Sequence, residues 1–200
     1  MNFKLFFPWT AQVIFFLAIL PQVFLNFKQK STKGLSDFLL IGYFNAYIFY
    51  LFYVFSLNLP LAYRIMIPFS FAAVLILIFQ RFYYSVFSDF NLKLFYFFNL
   101  LIILFFIPVA IKNNFIIGHI AGWLMMLAWA VYQIPQVIKN YKLRSVNGLS
   151  FAWLTILGLG DLIEFAVALF FKLPPQTYLN NLRGIIIYLV FCFQFLRFKN

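Results

Sequence analysis

Two carboxylic acids interrupt the stretch FAWLTILGLGDLIEFAVALFF, which is otherwise almost wholly apolar. Asp161 lies near the middle of this stretch and Glu164 follows three residues later, so a helix places both on one face. Charged groups within a bilayer are costly, and they typically line a cavity or a path for solutes or protons. A carboxyl group away from water also favours its protonated form. We therefore expect this pair to bind an amine or to exchange protons.

Arg183 is the cation whose depth in the membrane suits these acids. It lies six residues inside the last apolar stretch, about 9 Å at the rise of a helix. Glu164 lies about 10 Å from the same side. The depths predict a pair between Glu164 and Arg183, which leaves Asp161 as the freer acid. An inert pair that only joins two helices is the alternative.

Composition shows which solvent surrounds these groups. Hydrophobic residues form 66% of the 200-residue chain and charged residues only 10%, against roughly 25% charged residues in soluble domains. The apolar runs are long and do not alternate as the strands of a membrane β-barrel do. The chain is therefore predicted to be an all-α integral membrane protein. Seven stretches approach the ~20 residues of a span, at 6–27, 38–57, 61–80, 94–111, 115–138, 151–171 and 177–195.

Several classes of function lack their residues. Cys192 is the single cysteine and His119 the single histidine, so neither a metal site nor a disulfide is expected. No nucleophile–base pair is apparent, and neither an enzyme nor a cofactor is predicted. We attribute the net charge of +11 to contact with anionic lipid rather than with nucleic acid.

The basic residues also predict orientation. With seven spans, ten of the fifteen lysines and arginines fall on one side, which the positive-inside rule assigns to the cytoplasm. The N-terminus is then outside and the C-terminus inside. Asp37 and Asp89 fall in cytoplasmic loops, where we expect them to be solvated. The chain has no Asn-x-Ser/Thr sequon and a short tail, which favours a bacterial inner membrane over a lysosomal one.

One segment occurs twice. PQVFLNFKQKSTKGLS, Pro21 to Ser36, returns as PQVIKNYKLRSVNGLS, Pro135 to Ser150, with nine of sixteen positions identical. The same offset of 114 pairs Gln80 with Gln194 near the ends of two later spans. These matches predict a duplicated three-helix unit. Residues 1–90 and 114–200 are the expected repeats, and 91–113 a linker helix that keeps them parallel, a 3+1+3 plan.

A proline inside a helix removes a backbone hydrogen bond and clashes with the preceding turn. Each copy of the repeated segment begins with such a proline and a neighbouring glutamine. We therefore predict two symmetric hinges or gates, formed by Pro21, Gln22, Pro135 and Gln136. Ser36 and Ser150 are expected to cap the helices that follow. Another Pro-Gln pair, Pro175 and Gln176, lacks the rest of the motif and is assigned no role.

The duplication also assigns partners to the buried acids. At the offset of 114, Asp161 corresponds to Tyr47 and Glu164 to Tyr50. Tyr43, Tyr47 and Tyr50 lie along one face of their span, with Asn45 nearby. We expect the two equivalent faces to meet across a central cavity, with acids on one side and tyrosines on the other.

The string Pro-Gln-Val-x-x-Asn-x-Lys…Ser-x-x-Gly-Leu-Ser, present twice, resembles the signature of the PQ-loop family. That family includes cystinosin, lysosomal cationic amino acid exporters and SWEET sugar facilitators, with the KDEL receptor a more distant relative. The cystinosin branch is the most similar, through PQVFLNFKQKSTKGLSDF and the glutamines Gln80 and Gln194. Membership implies seven helices and alternating access about the two Pro-Gln hinges. The chain departs from that branch at Tyr188, where an acid is expected.

The resemblance and the two acids together predict a secondary transporter of a small polar solute. An amino acid of the cystine or cationic class is the first expectation, and proton coupling is left open. A SWEET-like sugar facilitator, using Asn45, Asn180, Asn181 and Trp153, is one alternative. A ligand-binding sorting receptor like the KDEL receptor is another. One chain holds both repeats, so a monomer suffices.

Overall fold

The computed structural model describes residues 3–84, 94, 96–97, 99–101, 104 and 114–198. Its long helices are α1 (Phe3–Gln29), α2 (Asp37–Ser56), α3 (Leu61–Tyr83), α4 (Phe115–Leu143), α5 (Phe151–Phe171) and α6 (Pro175–Phe198). All six are long and apolar enough to cross a membrane. The chain is an all-α integral membrane protein, as its composition predicts.

The helices match the predicted spans, with longer ends. α1 to α3 correspond to the first three spans, and α4 to α6 to the last three. α1 and α4 each continue past the predicted ends at 27 and 138, to Gln29 and Leu143. α6 begins at Pro175, because a first-turn proline needs no backbone donor. The span predicted at 94–111 lies mostly outside the described residues, and Asp89 lies entirely outside them.

The prolines of the repeated segment do not end their helices. Pro21 lies within α1 and Pro135 within α4. The polar groups around them are buried in protein, the condition under which a membrane helix tolerates proline. Their part as hinges stays a prediction.

Packing follows the duplication. α3 contacts both α1 and α2, and α6 contacts both α4 and α5, so each bundle has its third helix between the other two. Between the bundles, α2 packs on α4 and α1 packs on α5. A methyl group added to Gly42 of α2 would overlap the Tyr132 side chain of α4. Small residues allow this close approach of membrane helices.

Polar and apolar side chains are distributed as in other membrane proteins. Large hydrophobic residues such as Phe24, Phe79 and Leu196 are exposed on the outside of the bundle, where lipid would cover them. The side chains of Gln12 and Asn26 are fully buried. The connections also repeat: Lys30 and Arg144 have left-handed backbones, as do Asn58 and Lys172, and each pair is 114 residues apart.

Candidate functional site

All six described helices contribute side chains to one central cavity of about 70 Å³. This volume holds a few water molecules. Binding sites for small molecules are typically about 300–1,000 Å³. The structure therefore shows a contracted cavity, which must widen before a solute of ordinary size can enter.

The cavity brings together most of the residues predicted for a solute or proton site. Its lining includes Asp161, Glu164, Tyr43, Tyr47, Tyr50 and Arg183. Asn45 is half-buried and is not among the described residues that line it. The predicted meeting of an acidic face and a tyrosine face is thus found in the structure. What each side chain binds stays a prediction.

Trp129 of α4 organises the tyrosine face. Its ring centroid lies 4.5 Å from that of Tyr43, at an interplanar angle of 90°. The centroid of Tyr47 lies 5.4 Å from Trp129. Tyr50 and Tyr53 continue the row, with centroids 6.3 Å apart. Edge-to-face contacts of this kind stabilise aromatic pairs. Sequence reasoning missed Trp129 because the chain is rich in aromatic residues, and nothing local distinguishes this one.

Asp161 is 8% exposed and lies on the cavity wall. Its carboxyl group packs directly on Gly184 of α6, where an added Cβ would overlap the carboxyl atoms. Among the described residues, none donates a hydrogen bond to it. A buried carboxyl group without a donor is costly, so its oxygens are available to a ligand or a proton.

Glu164 has a different environment from Asp161. It is 2% exposed, and its Oε2 accepts a hydrogen bond of 3.2 Å from Nε2 of Gln12 in α1. Its Oε1 has no hydrogen-bond partner within the described part of the chain. The predicted ion pair with Arg183 is not formed there. The prediction compared depths along two helices and could not foresee that Gln12 of a third helix reaches Glu164.

Arg183 is instead held by neutral groups. Its Nη1 donates to Oε1 of Gln133 and to the Trp129 carbonyl oxygen, the latter at 3.5 Å. Its Nη2 donates to Oδ1 of Asn180 at 3.1 Å. The guanidinium carbon lies 5.9 Å from the centre of the Trp129 ring, within cation–π range. Gln12 and Gln133 were missed, although a lone glutamine in an apolar span is the signal that would have found them.

The motif glutamines bind across the molecule. Gln22 of α1 accepts a hydrogen bond from the Ser150 amide at 2.7 Å and donates to the Gly148 carbonyl at 3.0 Å. Gln136 of α4 makes the equivalent two bonds to the loop of the first repeat. It accepts from the Ser36 amide at 2.6 Å and donates to the Gly34 carbonyl at 3.0 Å. Each motif glutamine therefore binds the loop that belongs to the other copy of the motif.

The helix-end glutamines attach each third helix to its own motif. Gln80 accepts from Nδ2 of Asn26 at 3.0 Å and donates to the Val23 carbonyl at 3.0 Å. Gln194 accepts from Asn140 at 2.9 Å and donates to the Val137 carbonyl at 2.8 Å. Within each motif, the glutamine also bonds this asparagine. Nε2 of Gln22 donates to Asn26, and Nε2 of Gln136 donates to Asn140, both at 2.8 Å. The two networks are equivalent bond for bond.

The two loops, 30–36 and 144–150, meet at their glycines. A Cβ added to Gly34 would overlap backbone atoms of Gly148. Gly148 has φ +82°, a conformation that glycine adopts readily. We call this contact, with the bonds of Gln22 and Gln136, the loop junction. It joins the two repeats at one end of the helices, which we call the motif side. Of the expected caps, Ser150 bonds the Trp153 amide, whereas the Ser36 side chain makes no cap bond.

The opposite side of the cavity is also bridged. The hydroxyl of Tyr53 in α2 lies 2.7 Å from the Thr177 hydroxyl in α6, which joins the two repeats. Next to it, Nε2 of Gln176 lies 2.9 Å from Nδ1 of His119. Gln176 belongs to the Pro-Gln pair that was assigned no role, yet it is 1% exposed. Contacts between the repeats are therefore present on both sides of the cavity.

A helical membrane protein with two like repeats around a cavity that contains a few charged and amide groups has the architecture of a transporter. Residues 5–63 and 117–177 each match the PQ loop repeat, and together these matches span more than half of the chain. The chain belongs to the PQ-loop repeat family. It is also similar to cystinosin from Bos taurus, with 40% identity over 52 residues. That match spans 26% of this chain but only 14% of the cystinosin.

Proposed function

We propose that the protein is a secondary transporter that moves a small polar solute by alternating access. An amino acid of the cystine or cationic class is the proposed solute. The observation that carries this proposal is the position of Asp161 and Arg183 in a cavity between two repeats. In transporters built from repeats, the solute site lies near mid-membrane at the repeat interface.

The inter-repeat contacts support the alternating mechanism. The loop junction bridges the motif side, and the Tyr53–Thr177 bond bridges the opposite side. A rocking motion of one repeat against the other would break one set of contacts and keep the other. The presence of bridges on both sides of the cavity suits a state between the two open ones.

The charges of the cavity support an amine and a role for protons. Among the described lining residues, two acids stand against one base, Arg183. An ammonium group or a bound proton would balance the excess negative charge. Since Asp161 accepts no hydrogen bond from a described residue, we assign it the exchange with solute or proton. Proton symport is accordingly the proposed energy source.

A sugar facilitator of the SWEET type is the second candidate. Asn180 and Asn181 line the cavity beside Trp129 and the tyrosines, and amides with aromatic rings suit a sugar. Trp153, predicted for this role, is buried and is not among the described lining residues. A sorting receptor of the KDEL type would need several cavity cations, and the described lining has Arg183 alone.

A flux assay separates these candidates. We would reconstitute the full chain in liposomes and follow uptake of L-lysine, L-cystine and glucose with and without an inward proton gradient. We expect amino acid uptake, accelerated by the gradient in the wild type but not in Asp161→Asn. Asp37→Asn, outside the cavity, is the matched control and should behave as the wild type. Glucose uptake alone would favour the facilitator. Amino acid flux that ignores the gradient in both wild type and Asp161→Asn would exclude proton coupling.

We place the protein in a bacterial inner membrane, as a monomer with the motif side in the cytoplasm. The excess of lysine and arginine on that side supports this orientation, and anionic lipid would bind there. Single cysteines at Lys30 and Asn58, in a Cys192→Ser background, would test it. In intact cells an impermeant maleimide should label the cysteine at 58 and spare the one at 30. The reverse pattern would invert the proposed orientation.

A further inference from the structure

Arg183 is a half-buried cation that has no acid as a direct partner among the described residues. Gln133, Asn180 and the Trp129 carbonyl, which are all neutral, accept its hydrogen bonds. Among the described residues its Nε has no partner at all. A buried charge without a counter-ion is expensive, so a purely structural arginine would be expected to contact an acid. Neutral acceptors hold the guanidinium in place and leave its charge available.

Asp161 lines the same cavity and is an acid without a direct cationic partner among the described residues. It and Arg183 attract each other electrostatically, yet within the described residues they form no ion pair. Both groups line the same cavity. The Asp161 carboxyl group rests on Gly184, the residue next to Arg183 in α6. Opposite charges that share a cavity without pairing leave room for a ligand that contacts both.

The amide next to this pair has an unused donor as well. Asn181 lines the cavity and is 1% exposed, and its Nδ2 has no partner among the described residues. Unused donors on Arg183 and Asn181 therefore line the same cavity as Asp161, whose carboxyl group accepts no hydrogen bond from a described residue. A guanidinium fork with one added N–H suits a carboxylate, and a carboxylate without donors suits an ammonium.

We propose that Arg183 binds the α-carboxylate of an amino acid while Asp161 binds its α-ammonium group, so that the cavity recognises the zwitterion rather than the amine alone. This proposal rests on the proposed amino acid transport and adds its specificity. A solute that carries the ammonium but lacks the carboxylate would leave the Arg183 charge without a partner. Such solutes are therefore rejected.

Matched pairs of solutes test this assignment. L-Lysine and cadaverine differ by one carboxylate, and L-cystine and cystamine differ by two. We would measure the Kd of each by titration of the purified full chain in detergent. The wild type should bind each amino acid about ten- to one-hundred-fold more tightly than its decarboxylated partner, the range for a charged hydrogen bond.

Variants of the two charged residues should separate the subsites. Arg183→Gln should lose most of the preference for lysine over cadaverine, because only lysine uses the guanidinium. Asp161→Asn should weaken lysine and cadaverine alike, because both carry the ammonium. Arg197→Gln, an exposed arginine of the same helix, should keep the wild-type values. Arg183→Lys retains the charge and should keep part of the preference if the glutamine variant proves too unstable to purify.

Some outcomes would overturn the assignment. Equal wild-type affinity for lysine and cadaverine would show that no carboxylate subsite exists, even if transport stands. Equal weakening of both by Arg183→Gln, with Arg183→Lys also indiscriminate, would make Arg183 structural only. If no amino acid binds the wild type at all, the transport proposal itself fails along with this inference.

Discussion

The loop junction retains the equivalence of the two repeats, whereas the central cavity has lost it. At the junction, each bond of Gln22 has a counterpart from Gln136, with lengths that agree within 0.1 Å. In the cavity, the polar residues have unlike equivalents. Asp161 corresponds to Tyr47 and Arg183 to Phe69. The junction is self-complementary, whereas the cavity is not.

The difference reflects what each region contacts. The junction joins one loop to its own copy, so identical residues satisfy both sides. The cavity would face a solute, and the α-ammonium and α-carboxylate groups of the proposed amino acid need partners of opposite charge. A symmetric cavity would instead present the same residues from both repeats. Divergence of the cavity face therefore suits the proposed solute, whereas retention of the junction suits contact between two like loops.

Two positions near the junction depart from its symmetry. Lys139 of α4 donates from Nζ to the carbonyls of Lys33 and Leu35, at 2.6 and 2.8 Å, and its equivalent is Leu25. The loop 30–36 therefore has an anchor that loop 144–150 lacks. Asp37, predicted to be solvated, bonds Arg81 at 2.5 and 3.0 Å. The equivalent residues are Phe151 and Phe195, whose ring centroids lie 4.9 Å apart.

The largest effect is expected where the two copies touch. Gly34→Val places side-chain atoms on the Gly148 backbone, which cannot turn aside as a side chain can. We expect the closed junction to lose about 3 kcal/mol or more, by overpacking. Solute flux should nearly vanish. Hydrogen exchange of both loops should rise in mass spectrometry.

Gly118→Ala is the matched control for that variant. Its new methyl group would mainly meet the Cγ and Cδ2 atoms of the Leu57 side chain, on the side of the membrane away from the loops. It should leave both loops protected. A Gly34→Val protein with wild-type exchange and flux would refute the description of the junction as a closed contact.

The next effect tests the reciprocity of the motif glutamines. Gln22→Leu leaves the Ser150 amide and the Gly148 carbonyl unpaired, and should cost about 2–3 kcal/mol. The Ser150 amide should lose its protection against hydrogen exchange before the Ser36 amide does. Gln136→Leu should show the mirror-image result with a similar magnitude. If Gln22→Leu exposed loop 30–36 first, or Gln136→Leu exposed loop 144–150 first, the crossed bonding of the two motifs would be contradicted.

Lys139→Leu makes the second repeat resemble the first at one position. Because Lys139 is partly exposed, we expect a smaller cost, about 1 kcal/mol. Exchange should rise in loop 30–36 and remain unchanged in loop 144–150. Lys142→Leu, an exposed lysine of the same helix, is the control and should change neither loop. Equal changes in both loops would contradict an anchor specific to the first.

The smallest effect is expected for the exchange of an ion pair for an aromatic pair. The side chains of Arg81 and Asp37 are 28% and 43% exposed, and ion pairs at such sites contribute about 1 kcal/mol or less. Asp37→Phe with Arg81→Phe reproduces the pair of the second repeat. The melting temperature should change little, and flux should persist. Loss of flux would show that the charges act beyond local packing.

The fold was predictable because its signals are local. Apolar runs set the spans, and the repeated segment, with its turn glycines and serines, sets the symmetry and the loops. The cavity was predictable only in part. The offset related Asp161 to Tyr47 and so placed both at the cavity, but it did not predict the hydrogen-bond partners of the charged residues. The partner of Glu164 depends on how α1 packs against α5, which no local pattern reports. The same holds for Arg183, whose partner Gln133 lies 50 residues away.

The crossed bonds of Gln22 have a consequence for how the protein is made. Its partner, the Ser150 amide, lies 128 positions later in the chain. Synthesis proceeds from the N-terminus at about 5–20 residues per second. The first motif therefore enters the membrane several seconds before the loop that satisfies it exists. During that interval the side-chain oxygen of Gln22 lacks this donor, so the loop junction can form only after the second motif has been made.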